Sequence, residues 1–160
     1  MQSVAPESSL LVWVLFIMAA ALIVYTLVLM VEQHRTMMFE NPRGAVPYVI
    51  AAVLVVFGVG FYFMRGRTLS ALATLAVILA FAFFMAGVRA GVGRSALYLD
   101  GVRYSWSKVN SAKVSKDHGE VVVTFGIKNL DRSVRLKGAD KKDVAEFVRD
   151  LSRTYGFKFQ

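Results

Sequence analysis

The stretch Thr68–Arg94, TLSALATLAVILAFAFFMAGVRAGVGR, decides the fold because the chain changes its preferred solvent within it. Up to Val88 this stretch is apolar and carries no charged side chain, whereas beyond Arg94 the chain is polar, alternating and basic. A bilayer core about 30 Å thick needs about 20 apolar residues per spanning helix. The stretch therefore predicts a membrane span that is followed by a small water-exposed domain.

Two further apolar runs of spanning length precede this stretch. The three predicted spans cover residues 9–31, 44–64 and 68–88, and none of them contains Lys, Arg, Asp, Glu or His. The N-terminal run lacks the basic region of a signal peptide, so we interpret it as an uncleaved span. We therefore expect an α-helical membrane anchor over residues 1–94 and a soluble domain over residues 95–160.

The distribution of Lys and Arg near the span ends predicts which side holds the soluble domain, because cytoplasmic flanks are enriched in these residues. With the N-terminus outside, the outer side holds only Arg65 and Arg67, and this basic turn is the feature that opposes the orientation. We expect a multi-pass protein of the cell membrane with its C-terminal domain in the cytoplasm. The residues that set this topology are Arg35, Arg43, Arg89 and Arg94.

The spans lack the ionisable side chains on which transport and proton relay usually depend. Their hydroxyl groups, as at Thr26 and Thr74, are expected to bond their own helix backbone. Gly87 and Gly91 have the small-xxx-small spacing that permits close helix contact. These glycines either pack the helical hairpin within one chain or form the interface of a homo-oligomer. We do not expect a self-sufficient channel or transporter.

After Ser95 the pattern predicts an antiparallel β-meander closed by a C-terminal helix, so the domain is of the α+β class. Asp100-Gly101 between alternating residues is a two-residue hairpin signal. A helix is expected after Asp140, which is a good N-cap, and Gly156 is a plausible stop. The predicted strands cover residues 96–99, 102–106, 111–116, 120–127 and 132–137.

Strand alternation and helical spacing select one apolar core. Its predicted members are Val102, Tyr104, Trp106, Ala112, Val114, Val121, Val123, Phe125, Val134, Leu136, Val144, Phe147, Val148, Leu151 and Tyr155. The opposite strand faces carry four cations, Arg103, Lys113, Arg135 and Lys137. These cations either keep an exposed sheet soluble or contact anionic headgroups or an acidic partner.

The Tyr-Ser-Trp-Ser-Lys-Val stretch ending at Val109, the meander around it and the closing helix resemble the small bacterial pleckstrin-homology-like domains. Such domains often follow two or three spans in prokaryotic membrane proteins of uncharacterised role. The resemblance covers Ser95 to about Phe159, and it implies a binding or scaffolding role and no catalysis.

The chain also departs from this family. Phosphoinositide-binding members of the wider superfamily hold the headgroup in a long basic loop between their first two strands. The corresponding loop here is Asp100-Gly101, so the resemblance does not imply that lipid site. Five predicted strands fall short of the seven of a full domain, which means that the sheet is reduced or that a partner strand completes an edge.

No pattern for catalysis or metal binding accompanies these features. The chain has no Cys, and His34 and His118 have no second ligand at metal-binding spacing. The segment Gly91-Val-Gly93-Arg-Ser-Ala96 matches a dinucleotide pattern, but it follows a helix and leads into a strand, the reverse of the required order. We interpret it as a flexible joint, and we expect no enzyme activity and no cofactor.

The charge of the chain points to an acidic or anionic partner. The net charge is +8, and residues 95–160 hold thirteen Lys and Arg against eight Asp and Glu. No nucleic-acid-binding motif accompanies this charge, so a nucleic acid partner is not expected. The sequence therefore predicts a non-enzymatic interaction or scaffold protein that presents a basic domain to the bilayer and to another membrane protein. The alternative is a peripheral sensor of anionic lipids that uses the four cations named above.

Overall fold

Three long apolar helices account for the first half of the protein. A computed structural model describes residues 6–41, 44–99 and 101–160, with side chains from Ser9 onward. The helices are α1 (Pro6–Thr36), α2 (Val46–Met64) and α3 (Leu69–Gly87). Each is long and apolar enough to cross a membrane, which supports the prediction of a multi-pass membrane protein.

The second half, together with one strand from the first half, forms a small β domain with two four-stranded sheets and one helix, α4 (Lys141–Tyr155). The first sheet has the order β1-β2-β3-β4, and the second has the order β7-β6-β5-β8. All neighbours are antiparallel except β5 and β8. The strands are β1 (Met37–Glu40), β2 (Gly91–Gly93), β3 (Ala96–Leu99), β4 (Val102–Ser105), β5 (Val109–Asp117), β6 (Glu120–Ile127), β7 (Leu130–Leu136) and β8 (Lys158–Phe159).

Two strands of the first sheet come from segments that the sequence analysis left outside the soluble domain. β1 lies between α1 and α2 in the chain, and β2 lies within the segment that we interpreted as a flexible joint. That interpretation is wrong, because β2 is buried and pairs on both sides, with β1 and with β3. The compact β unit consequently combines residues 31–42 with residues 89–160, and it differs in this way from the predicted domain of residues 95–160.

Glycine makes the pairing of β1 with β2 possible. A Cβ atom at Gly91 would collide with the carbonyl oxygen of Phe39 and would lie 3.0 Å from the sulfur of Met37. A Cβ atom at Gly93 would lie 3.0 Å from the carbonyl oxygen of Thr36. Close backbone approach between strands therefore explains the Gly-x-Gly spacing of this segment.

The core of the β unit is formed by both sheets and α4, and Trp106 is its largest fully buried side chain. The indole N–H of Trp106 donates to the carbonyl oxygen of Arg94 at 3.1 Å, and its ring stacks on Phe157. The prediction that Val102 and Tyr155 belong to the core is wrong. Val102 is 44% exposed because it begins the edge strand β4, and Tyr155 is 45% exposed because it ends α4.

Helix α4 begins and ends as predicted. The Asp140 side chain accepts a hydrogen bond from the backbone N–H of Lys142 at 2.7 Å, which caps the helix N-terminus. Gly156 follows the helix with φ of 77°, the left-handed conformation that commonly ends a helix. Val144, Val148 and Leu151 form its buried stripe.

Small residues permit close packing in the helical unit. A Cβ atom at Gly58 would lie 3.0 Å from the Ile78 side chain of α3, and one at Gly87 would lie 2.7 Å from the sulfur of Met30 on α1. Gly91 is part of a strand, so Gly87 and Gly91 do not act as a small-xxx-small pair on one helix. Gly58 and Gly87 thus make helix contacts within this chain.

The hydroxyl groups of Thr26 and Thr74 bond their own helix backbone, as predicted, whereas the Ser70 hydroxyl lies 3.2 Å from that of Thr68. Thr26 donates to the carbonyl oxygen of Leu22 at 2.7 Å, and Thr74 donates to that of Ser70 at 2.9 Å. These i to i−4 bonds satisfy the hydroxyl groups within a single helix, which is the ordinary solution in an apolar medium.

Gly91→Ala is expected to destabilise the protein, because the new methyl group overpacks against the backbone of β1. We expect the free energy of unfolding to fall by about 1–3 kcal/mol. Thermal unfolding of the full chain in detergent measures this change. Gly60→Ala is the control, since no atom lies within 4 Å of the added Cβ atom. An unchanged melting temperature for Gly91→Ala would contradict the pairing of β1 with β2.

Candidate functional site

The four cations that were predicted to form one basic face lie on different surfaces of the β unit. Lys113 on β5 and Arg135 on β7 share the outer face of the second sheet, because both pair with outward-facing residues of β6. Arg103 lies on β4 of the other sheet, and Lys137 lies in the turn after β7. All four side chains are exposed, but only Lys113 and Arg135 lie on strands of the same sheet.

Two of the arginines that were predicted to set the topology, Arg89 and Arg94, have local bonding partners in the structure. Arg89 forms an ion pair with Glu40, with 2.8 Å between its Nη1 and the carboxylate. The backbone N–H of Arg94 donates to the carbonyl oxygen of Thr36 at 2.9 Å. Arg35 is exposed near the end of α1. Arg43, like Asp100 of the predicted hairpin turn, lies outside the described residues.

The last turn of α1, residues 31–36, belongs to the β unit and is held there by side-chain hydrogen bonds. The amide of Gln33 is 4% exposed; it donates to the carbonyl oxygen of Arg89 at 2.8 Å and accepts from the N–H of Arg89 at 3.0 Å. The Gln33 amide thus pairs with the Arg89 backbone as a neighbouring strand would. The hydroxyl groups of Thr36 and Tyr98 lie 3.1 Å apart. The sequence analysis missed these contacts because it treated this turn as the flank of a span.

Arg103 is held by the same helix end. Its Nε donates to both carboxylate oxygens of Glu32, at 2.8 and 3.0 Å, and the Ser95 hydroxyl lies 3.3 Å from one of them. The hydrogen bond to Glu32 raises the pKa of Arg103 above its usual range. Arg103 is therefore a permanent cation whose position is set by Glu32.

Arg103 also lines a small hollow that we call the basic pocket. The pocket has a volume of about 200 Å³ and lies among β4, the short 3₁₀ helix Trp106–Lys108, the end of β6 and the start of β7. Four of the residues that line it are cationic, and none of the described lining residues is acidic. The lining residues are Val102, Arg103, Tyr104, Lys108, Ile127, Lys128, Leu130 and Arg132.

Local structure fixes two of these cations at the rim of the pocket. Lys108 follows the buried Trp106 in one turn of 3₁₀ helix, so the packing of the indole sets its backbone position. Lys128 is the first residue of a two-residue turn between the paired Ile127 and Leu130, and its φ is 58°. A positive φ at the first position is the ordinary geometry of a two-residue hairpin turn, so the hairpin sets the backbone position of Lys128.

The basic pocket combines charge with exposed apolar surface. Val102 is 44% exposed and Leu130 is 62% exposed, and both lie beside the cations. The guanidinium groups supply forked N–H donors, and each ammonium supplies a compact point charge. This arrangement suits an anionic group that is attached to an apolar body.

The sequence analysis missed the pocket because its cations come from four separate elements. Alternation within the strands assigned Arg103 to the same kind of face as Lys113, and Lys108 and Lys128 lay outside the predicted strands. The one available signal was the placement of Lys108, Lys128 and Arg132 in or beside turns. Within residues 6–41, 44–99 and 101–160, no cluster of His, Asp and Glu could hold a metal ion.

Gln33→Ala is expected to destabilise the β unit, since it leaves both backbone groups of Arg89 without their partners. An unpaired buried polar group costs about 1–3 kcal/mol. Thermal unfolding of the full chain in detergent measures this loss. His34→Ala changes the exposed neighbour and is expected to have no effect. Equal melting temperatures for the two variants would show that the Gln33 bonds contribute nothing.

Comparison of the chain with protein-family models, with curated protein sequences and with solved structures gives no match.

Proposed function

We propose that this protein is a non-enzymatic, membrane-anchored interaction module that holds a basic domain at the cytoplasmic face for another membrane protein. The observation that supports this most directly is the path of the chain. Three connections join the β unit to the apolar helices: α1 runs into β1, β1 leads to α2, and α3 leads into β2. A simple tether needs one connection, so three favour a function that depends on the position of the domain.

The finer fold that we propose for the β unit is pleckstrin-homology-like. The strands β1 and β2, which the sequence analysis lacked, bring the number before α4 to seven. The division into two sheets and the closing helix are consistent with this resemblance. In this interpretation the connection between the first two strands contains α2 and α3, and Asp100-Gly101 connects the third strand to the fourth. The resemblance still transfers no headgroup loop, since that first connection consists mainly of the two apolar helices.

The contents of the helices favour anchoring over transport. Within α1, α2 and α3, charged residues lie only near the two ends of α1, at Glu7, Glu32 and Arg35. The Glu32 carboxylate pairs with Arg103 of the β unit. Transport of ions or protons usually requires ionisable groups along the pathway. Anchoring requires only length and apolarity, which these helices have.

The proposed orientation is tested by cysteine labelling, because the natural chain has no Cys that would react. Lys113→Cys places a thiol on the β unit, and Arg65→Cys places one after α2. With a membrane-impermeant maleimide on intact cells, we expect the Cys at position 65 to be labelled and the Cys at position 113 to be protected until permeabilisation. The reverse pattern would contradict the cytoplasmic placement of the domain.

The proposed partner is tested by purifying the tagged full chain from native membranes in mild detergent. We expect a second membrane protein to remain bound in constant ratio through size-exclusion chromatography. The test variant is Gln33→Ala, which removes the bonds between the last turn of α1 and the Arg89 backbone. We expect this variant to retain less of the second protein than the unmodified chain does. Purification of the unmodified chain alone, at normal expression and from several mild detergents, would overturn the proposed function.

A further inference from the structure

We propose that the basic pocket is a binding site for a phosphate group, which is carried by a lipid headgroup or by a soluble phosphate ester. The inference names a ligand for the domain that the proposed function presents, and it rests on that function only for the nearness of a membrane. The pocket is built by β4, the 3₁₀ helix and the turn between β6 and β7. It is therefore separate from the connection between β1 and β2.

The first argument is uncompensated charge. Among the described residues, neither the Lys108 nor the Lys128 side chain makes an ion pair or a hydrogen bond, and no described residue that lines the pocket is acidic. Asp131 is the acidic residue of β7 that is nearest in sequence to the pocket residues, but it is not among the lining residues. It pairs with Gly126 of β6, and its carboxylate lies 3.6 Å from the position of a Cβ atom built at Gly126. Two ammonium groups thus line one small hollow, and none of its described lining residues supplies a counter-ion.

The second argument is the geometry of Arg103. Glu32 accepts from Nε of the guanidinium, and neither terminal nitrogen takes part in those two bonds. A guanidinium has five N–H donors, so the Glu32 contact orients the group without using its capacity. A positioned guanidinium suits the oxygens of a phosphate group, which it can bind through two parallel hydrogen bonds. Glu32 is thus a positioning residue for this site.

The third argument is size and surroundings. A hollow of about 200 Å³ is smaller than the roughly 300–1,000 Å³ of drug-sized ligand sites. A phosphate monoester carries nearly two charges on a compact group, and several cations around a small volume match that density. Val102 and Leu130 line the pocket and are exposed, so they offer apolar surface to carbon atoms attached to a bound phosphate.

The test uses the full chain in nanodiscs and compares two double variants of equal charge. Lys108→Gln with Lys128→Gln removes both unpaired ammonium groups of the pocket. Lys113→Gln with Arg135→Gln removes two exposed cations from the outer face of the second sheet. One arm titrates inorganic phosphate into phosphatidylcholine nanodiscs by calorimetry. The other arm measures retention of phosphatidic acid against phosphatidylcholine by native mass spectrometry.

We expect the affinity of the pocket variant for the phosphate probe to fall by at least about tenfold, because bonds to charged groups are lost. The affinity of the control variant is expected to stay within about twofold of that of the unmodified chain. Lys108→Arg with Lys128→Arg retains the charge and is expected to retain binding, which guards against a folding defect in the Gln variant. Binding in both arms assigns the phosphate group itself, and binding in one arm assigns its soluble or its lipid source. Each of these outcomes supports the proposal.

Other outcomes overturn it. Equal losses of affinity in the two double variants would show diffuse electrostatic attraction and no defined site. Absence of binding in both arms would show that the pocket does not bind a phosphate group. Binding of polyglutamate without binding of either phosphate probe would assign the pocket to an acidic peptide. These measurements use the purified chain without a partner. A missing partner with intact phosphate binding therefore overturns only the proposed function, and the converse result overturns only this inference.

Discussion

The antiparallel pairing of β1 with β2 is the contact on which the rest of the β unit depends. It joins two chain segments that are separated by the whole of α2 and α3. The pairing involves only three residues of β2, so it needs support from its surroundings. That support comes from the last turn of α1, where Gln33 bonds the Arg89 backbone and Thr36 accepts from the N–H of Arg94.

The position of Arg103 follows from this arrangement. Because residues 31–36 are part of the β unit, Glu32 lies within reach of β4 and holds the guanidinium from one side. The remaining cations of the basic pocket are placed by the buried Trp106 and by the turn after β6. One surface hollow therefore depends on contacts that begin at the end of an apolar helix.

Much of this fold could be predicted from the sequence because its signals are local. Apolar runs free of charge located the three long helices, and alternation located β3 and β6 at their observed bounds. Asp140 and Gly156 located the ends of α4, since capping depends on a few neighbouring residues.

The remainder depends on contacts between distant segments. β1 has four residues and β2 has three, which is too few to show a period. The two strands are separated in the sequence by α2 and α3, and two of the three residues of β2 are glycines, which carry no pattern of alternation. Alternation also placed Val102 in the core, but an edge strand beside an open hollow leaves it exposed. Alternation likewise grouped Arg103 with the cations of other strands. The structure instead places it in one pocket with Lys108, Lys128 and Arg132, which come from three other elements.

The order of the strands along the chain has a consequence for biosynthesis. β1 is translated before α2 and α3, whereas its sheet neighbour β2 is translated after both. The first sheet therefore stays incomplete while the ribosome makes two further hydrophobic helices, and unpaired strand edges of this kind favour aggregation. The chain of α2 and α3 is therefore complete before the sheet can close, so a chain that stalls between these two stages carries an unfinished domain.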